Sequence, residues 1–170
     1  MTLENTAPAL PAFIADILCF DATGLIPAIA QQHDTGEVLM VAWMNAASIA
    51  ETLATGRVCY WSRSRQQLWR KGESSGQTQH LHEMRLDCDG DTLLLVVDQV
   101  GVACHTGRRN CFFRAVRGGE LVEIAVPVVD PAELYGRGAL PPQAFQLAKG
   151  GQSEPLPATP QTPPHLQALG

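Results

Sequence analysis

Asp87, Asp89 and Asp91 with Cys88, Cys104 and Cys111 put three carboxylates and three thiols within about 25 residues. The run Asp87-Cys88-Asp89-Gly90-Asp91 comes first, then Cys104-His105-Thr106-Gly107, then Cys111. Carboxylates are hard ligands suited to magnesium, and thiolates are soft ligands suited to zinc. One short segment carrying both sets points to hydrolytic metal chemistry.

The carboxylates impose a geometric condition. If this run were a straight strand, Asp87, Asp89 and Asp91 would share one face and Cys88 the other. Asp87 and Asp91 would then stand about 13 Å apart, too far to share one ion. The chain must bend for them to converge, and Gly90 is where it could. The same pentapeptide is also ordinary chemistry for a solvated turn at the end of a strand. A calcium loop is rejected, because Thr92 stands where its glycine is required and the flanks read as strands.

The thiols fit a catalytic zinc site better than a structural one. Structural sites use four protein ligands and a short Cys-x-x-Cys element, and neither occurs. Three cysteines leave one coordination position for a water whose pKa falls to near 7. His105 is a candidate fourth ligand or general base. The alternative for Cys104 and Cys111 is two small buried residues, which the hydrophilic run Thr106-Gly107-Arg108-Arg109-Asn110 disfavours. Cys19 and Cys59 lie in apolar contexts and are expected in the core. Other signatures fail. His82-Glu83 is followed by Leu86 where a metalloprotease needs histidine, and neither a nucleobase-deaminase motif nor a P-loop is present.

A second segment concentrates positive charge. Arg57, Arg63, Arg65, Arg70 and Lys71 fall close together, interleaved with Trp61 and Trp69. Guanidinium forks match phosphate oxygens, backbone N–H groups of Gly72 to Gly76 can face an anion, and the indoles can stack on a base. Phosphates plus a flat ring describe a nucleotide. The alternative is an exposed hairpin with cross-strand aromatic pairs.

These groups must be positioned by a small α+β domain. Leu25–Ala30 and Val38–Met44 read as strands around an Asp34–Glu37 turn, and Ala12–Phe20 as a short helix. Asn45 fits an N-cap, Ala46–Thr55 the main helix with Ile49 and Leu53 on one face, and Gly56 its left-handed end. Val58–Ser62, Leu68–Arg70, Gln79–Asp87 and Leu93–Val97 read as further strands. Cys111–Val116 and Glu120–Val126 form a hairpin around Gly118-Gly119. One main helix among many strands implies a mixed or mostly antiparallel sheet. Val129–Gly136 is a candidate to pack back on the domain. Residues 1–138 are assigned to the domain and 139–170 to a proline-rich tail expected to be disordered.

Composition sets outer limits. The chain has 170 residues, 45% of them hydrophobic, and a net charge of −5, which disfavours nucleic-acid binding by bulk charge. There is no apolar run of membrane-spanning length and no basic start of a signal peptide. The cytoplasm is the expected compartment. Five cysteines, an odd count, fit a disulfide framework poorly.

Three blocks, in order and spacing, closely resemble the phosphoribosyl-AMP cyclohydrolase family of histidine biosynthesis. They are Trp61-Ser62-Arg63-Ser64-Arg65 with Leu68-Trp69-Arg70-Lys71-Gly72-Glu73-Ser74-Ser75-Gly76; Asp87-Cys88-Asp89-Gly90-Asp91; and Gln99-Val100-Gly101-Val102-Ala103-Cys104-His105-Thr106-Gly107 through Cys111-Phe112. Gly24-Leu25-Ile26-Pro27-Ala28-Ile29 and Val38–Asn45 are similar to the family's opening strands. The resemblance spans roughly residues 20 to 116. It implies a zinc-dependent, magnesium-assisted hydrolase that opens the adenine ring of phosphoribosyl-AMP between N1 and C6. The product is the phosphoribosylformimino-aminoimidazole carboxamide ribonucleotide, in the third step of the pathway. It further implies a compact β-grasp-like fold in an intertwined homodimer. One zinc per subunit is shared across the interface, Cys88 from one chain and Cys104 and Cys111 from the other, with magnesium on Asp87, Asp89 and Asp91. His105 is the expected proton acceptor or relay. The expected substrate contacts are Trp61, Arg63, Ser64, Arg65, Trp69, Lys71, Gly72, Glu73, Ser75 and Gly76. The remainder after Val116 is too short for the pyrophosphatase domain fused to some relatives, so the cyclohydrolase activity alone is expected.

Overall fold

The structure is a computed structural model that describes residues 8–135. The boundary expected at residue 138 and the tail beyond it lie outside the described residues. Strands β1 (Ile26–Gln32), β2 (Val38–Met44), β3 (Cys59–Ser62), β4 (Gln67–Arg70), β5 (Gln79–Leu86) and β6 (Leu93–Gln99) form one sheet in the order β4-β3-β2-β1-β6-β5. β1 and β6 run parallel, and every other neighbouring pair is antiparallel. The architecture is α+β with a mixed sheet, as its strand and helix pattern implied.

The core follows from alternation along the two central strands. Ile26, Ala28 and Ala30 of β1 and Leu93, Leu95 and Val97 of β6 are all fully buried on one face. Helix α2 (Ala46–Thr55) carries Ile49 and Leu53 into that core. Asn45 Oδ1 accepts from the Ser48 N–H at 2.9 Å, and the Ser48 hydroxyl oxygen accepts from the Asn45 N–H at 2.8 Å, a reciprocal cap. Gly56, at φ +69, ends the helix. Thr52 Oγ1 then accepts from the Cys59 N–H at 2.9 Å and ties the helix to β3.

Three expected elements are shorter: the first helix, the strand expected from Cys111, and the strand expected over Glu120–Val126, which ends at Glu123. Helix α1 covers only Ala12–Ala15, because the Cys19 N–H donates to the Gly90 carbonyl at 2.8 Å and draws the chain away from helix geometry. Strand β7 is Arg114–Arg117, not a strand starting at Cys111. The Cys111 N–H is committed to the Leu39 carbonyl at 2.8 Å, so Cys111–Phe113 belongs to a loop pinned on β2. β7 pairs with β8 (Glu120–Glu123) across Gly118 and Gly119, both at positive φ as a tight hairpin demands. Beyond it the chain does return to the domain. The Val128 N–H donates to the Gly107 carbonyl at 2.8 Å, and α3 (Pro131–Tyr135) buries Leu134. Among the described residues no helix is long and apolar enough to cross a membrane.

Candidate active site

Residues 87–92 are the β5–β6 connection, not a strand, so the opposite-face argument for Cys88 does not apply. The chain bends at Gly90, φ +76, and one carboxylate oxygen from each of Asp87, Asp89 and Asp91 lies within 4.8 Å of the others. The turn is closed by its own hydrogen bonds. The Asp87 N–H donates to the Thr92 carbonyl and the Thr92 N–H to Asp87 Oδ1, both at 3.1 Å, while the Thr92 hydroxyl donates to Asp91 Oδ1 at 3.0 Å. Desolvation opposes ionisation of Asp87. The hydrogen bonds from Thr92, Asp91 and Gly90 together outweigh it and hold this carboxyl below the usual range. Three exposed carboxylates on one turn are a donor set that suits a hard divalent cation.

Gly90 is required twice over. Its φ is in the left-handed region, and a Cβ there would meet the Ile17 carbonyl oxygen at 2.1 Å. Gly90→Ala should therefore cost about 1–3 kcal/mol in chemical denaturation and loosen the carboxylate turn.

The thiol loop follows β6. The Ala103 N–H donates to the Arg109 carbonyl at 3.0 Å and the Cys104 N–H to the Arg108 carbonyl at 3.2 Å, folding Cys104–Gly107 into a tight turn. This sets Cys104 and Cys111 close enough for each thiol to shift the other's titration. Cys104 is lowered to about 5, chiefly by its neighbour Cys111, with Thr106 and His105 assisting against burial. Cys111, whose surface is exposed, is pushed up chiefly by Cys104. Cys104 Sγ also lies 3.0 Å from Thr106 Oγ1. Cys104 is thus the more thiolate-like of the two, and a thiolate is the form a soft metal takes. His105 sits half-buried in the turn beside them. Cys59 is buried, as expected, and burial raises its thiol to about 12. Cys19 is exposed rather than in the core, because its backbone is spent on Gly90 at the surface.

The two clusters lie at opposite ends of β6, about 20 Å apart along a strand of this length. Among the described residues, the carboxylate trio is the one place where three potential metal ligands converge. Cys88 is exposed at the carboxylate end, and Cys104 and Cys111 stand at the other.

The basic segment divides the same way. β3 and β4 form a hairpin whose tip carries Arg63, Ser64 and Arg65, all exposed, with Arg63 near Asp21, ahead of β1, and near Trp43, next to Met44. That is the carboxylate end. Arg63 lies 4.2 Å over the Trp43 ring, which pairs across the sheet with half-exposed Trp61. Lys71 and the Gly72–Gly76 turn lie at the thiol end, where the Lys71 N–H donates to the Val58 carbonyl and the Gln77 side chain accepts from the Val102 N–H. Gly72, with φ +80, allows close passage against Gln77, whose carbonyl carbon a Cβ would meet at 2.5 Å. Glu73 and Gly76 are exposed on this turn, and Ser75 Oγ accepts from the Gln77 N–H. Lys71 is not a surface cation of the arginine patch. It is buried, which lowers its ammonium pKa, and the Cys111 and Cys104 charges oppose that shift. Trp69 packs against the core beside Tyr60, 5.5 Å between rings. Tyr135 of α3 also enters the thiol neighbourhood, its phenol raised by burial and then by Cys104 and Cys111. The sequence had singled out its segment but not the residue.

Two neighbouring thiols and a carboxylate trio, each on a loop of an α+β domain, are groups with the chemistry of a hydrolase. A family model described as phosphoribosyl-AMP cyclohydrolase matches residues 40–113, which contain every candidate site residue. The chain is 71% identical over 133 residues to the phosphoribosyl-AMP cyclohydrolase of Rhodospirillum centenum, covering 78% of this chain and 99% of that protein. It is 67% identical over 123 residues to that of Halorhodospira halophila, covering 72% and 87%. To that of Granulibacter bethesdensis it is 64% identical over 124 residues, covering 72% and 97%. The chain belongs to the phosphoribosyl-AMP cyclohydrolase family.

Proposed function

We propose that this hydrolase opens the adenine ring of phosphoribosyl-AMP for histidine biosynthesis, with zinc on Cys88, Cys104 and Cys111 and magnesium on Asp87, Asp89 and Asp91. The observation that carries the metal assignment is the division of the ligands between the two ends of β6. Two neighbouring thiols are an incomplete soft site, and their missing partner, Cys88, stands about 20 Å away across β6 on the same chain. A second copy completes it. In a two-fold homodimer, the carboxylate end of one chain meets the thiol end of the other, giving two equivalent composite sites. Each then combines Asp87, Cys88, Asp89, Asp91, Arg63, Ser64 and Arg65 from one subunit with Cys104, His105, Cys111, Lys71 and the Gly72–Gly76 turn from its partner.

Exposed apolar side chains support such an interface. Val116, Leu121, Val126 and Val128 are each more than 60% exposed along the β7–β8 hairpin and the chain that follows it. A sheet crossed on one face by one main helix supports the β-grasp-like description, with the hairpin as the arm that intertwines the subunits.

The reaction adds water at C6, the amidine-like carbon, and breaks the C6–N1 bond. Zinc, when bound, supplies the Lewis acidity that makes a water acidic near neutral pH. His105, beside Cys104, accepts the proton from water and returns one to N1 as that bond breaks. Trp61 and Trp69 line the base, while Arg63, Ser64 and Arg65 bind one phosphate and the Gly72, Glu73, Ser75 and Gly76 turn receives the other. Lys71 places a fixed positive charge beside the thiolates.

Purified protein given phosphoribosyl-AMP should change its ultraviolet absorbance as the purine opens. A zinc chelator should remove at least about 90% of the turnover, a tenfold loss or more, and added zinc should restore it. Pure protein with no chelator-sensitive turnover would sink the zinc assignment.

A further inference from the structure

Glu37 lies in the turn between β1 and β2, outside the residues matched by the family model, yet its carboxylate reaches the thiol loop. Glu37 Oε1 accepts from Asn110 Nδ2 at 2.6 Å, and Glu37 Oε2 lies 3.4 Å from Arg109 Nε. One carboxylate therefore spans the two residues that precede Cys111. We propose that Glu37 is a positioning residue for the Cys104–Cys111 pair, acting through Arg109 and Asn110. This rests on the reading of those thiols as zinc ligands.

Arg109 is the hub. Its Nη1 donates to the Gly101 carbonyl at 2.7 Å and its Nη2 to Gln32 Oε1 at 3.0 Å. Gln32 Oε1 also accepts from the Gln99 N–H at 3.1 Å, so the guanidinium is referenced to the ends of both β1 and β6. The backbone of Arg109 in turn accepts from Ala103, the residue before Cys104. On the other side, Asn110 Oδ1 accepts from the Phe112 N–H at 2.9 Å, and Cys111 between them is held to Leu39. Glu37 thus fixes the guanidinium and amide that frame both cysteines, and the separation of the two sulfurs is a property of that frame. Zinc demands sulfur at about 2.3 Å with tetrahedral angles, so small displacements of the frame are felt at the metal.

The alternative is an ordinary surface ion pair. The side chains of Arg109 and Glu37 are 37% and 32% exposed, and a pair this wet contributes little to stability. Positioning and stability therefore separate experimentally. Glu37→Gln keeps an acceptor for Asn110 and removes the charge facing Arg109. Zinc affinity, read by competition with a chromophoric chelator, should weaken about 10- to 100-fold, with KM for phosphoribosyl-AMP within about twofold. The melting temperature of zinc-free protein should stay within a few degrees of wild type. A readout independent of metal is maleimide alkylation of Cys104 in zinc-free protein, followed by peptide mass spectrometry. It should accelerate about fivefold or more as the loop loosens. Glu83→Gln, which removes an exposed carboxylate paired with Arg85 on β5, should match wild type in every measure. A wild-type alkylation rate in Glu37→Gln overturns the proposal, as does a large fall in melting temperature. Wild-type protein that takes up no zinc overturns the metal reading instead, and the alkylation comparison still decides the role of Glu37.

Discussion

Cys104→Ser should lose its zinc and at least about 10³-fold in kcat/KM together, while retaining the fold. On the proposed zinc reading the thiolate is the ligand, and Cys104 is the sulfur favoured in that form by Cys111, Thr106 and His105. A serine hydroxyl is not ionised under these conditions and offers Cys111 only a neutral, weaker acceptor. Little packing is lost, since the exchange replaces sulfur with a smaller oxygen at a position where Thr106 already supplies a polar neighbour. Zinc content by atomic absorption, circular dichroism and steady-state kinetics on one preparation test the three parts. Full zinc occupancy in active Cys104→Ser protein would remove this thiol from the metal site.

The second large effect is a recovery. Cys88→Ser and Cys104→Ser should each be inactive alone, and their 1:1 mixture should regain about one quarter of wild-type activity. Half of randomly mixed dimers are heterodimers. In each of these, one composite site carries both lesions and the other carries none. The expectation follows from the strand that separates the ligands, because Cys88 at the carboxylate end of β6 cannot reach Cys111 pinned beside Leu39 at the other. The same logic sorts the phosphate groups. Arg65→Ala should complement Cys104→Ser and fail to complement Cys88→Ser, since Arg65 and Cys88 share an end of the sheet. Mixed dimers that demonstrably form and never regain activity would place each site within one chain.

The helix and most strands could be read locally. Asn45, Ser48 and Gly56 set the limits of α2 because capping is decided by backbone groups within four residues. Apolar runs of strand length set the strands of the core for a similar reason, since a run bounded by turn residues is a local pattern. Segments whose backbone bonds go elsewhere could not be read. α1 stops at Ala15 and β7 starts at Arg114 because Cys19 is spent on Gly90 and Cys111 on Leu39. No local pattern announces those partners.

The candidate site divides in the same manner. Residue type and spacing were enough to select Asp87, Cys88, Asp89, Asp91, Cys104, His105 and Cys111, since ligand chemistry is a property of the side chain. The bend at Gly90 was legible too, because three aspartates on a straight strand cannot converge. What the tertiary structure decided is which groups share a place. It put the carboxylates with Arg63 and Arg65 at one end of the sheet and the thiols, Lys71 and the glycine turn at the other. It buried Lys71, which composition alone had set among surface cations, and it brought Glu37 to Arg109 and Asn110 across more than 70 residues of chain. Hydrogen-bond and strand partners fixed over such separations are properties of the sheet's topology, which local sequence does not encode.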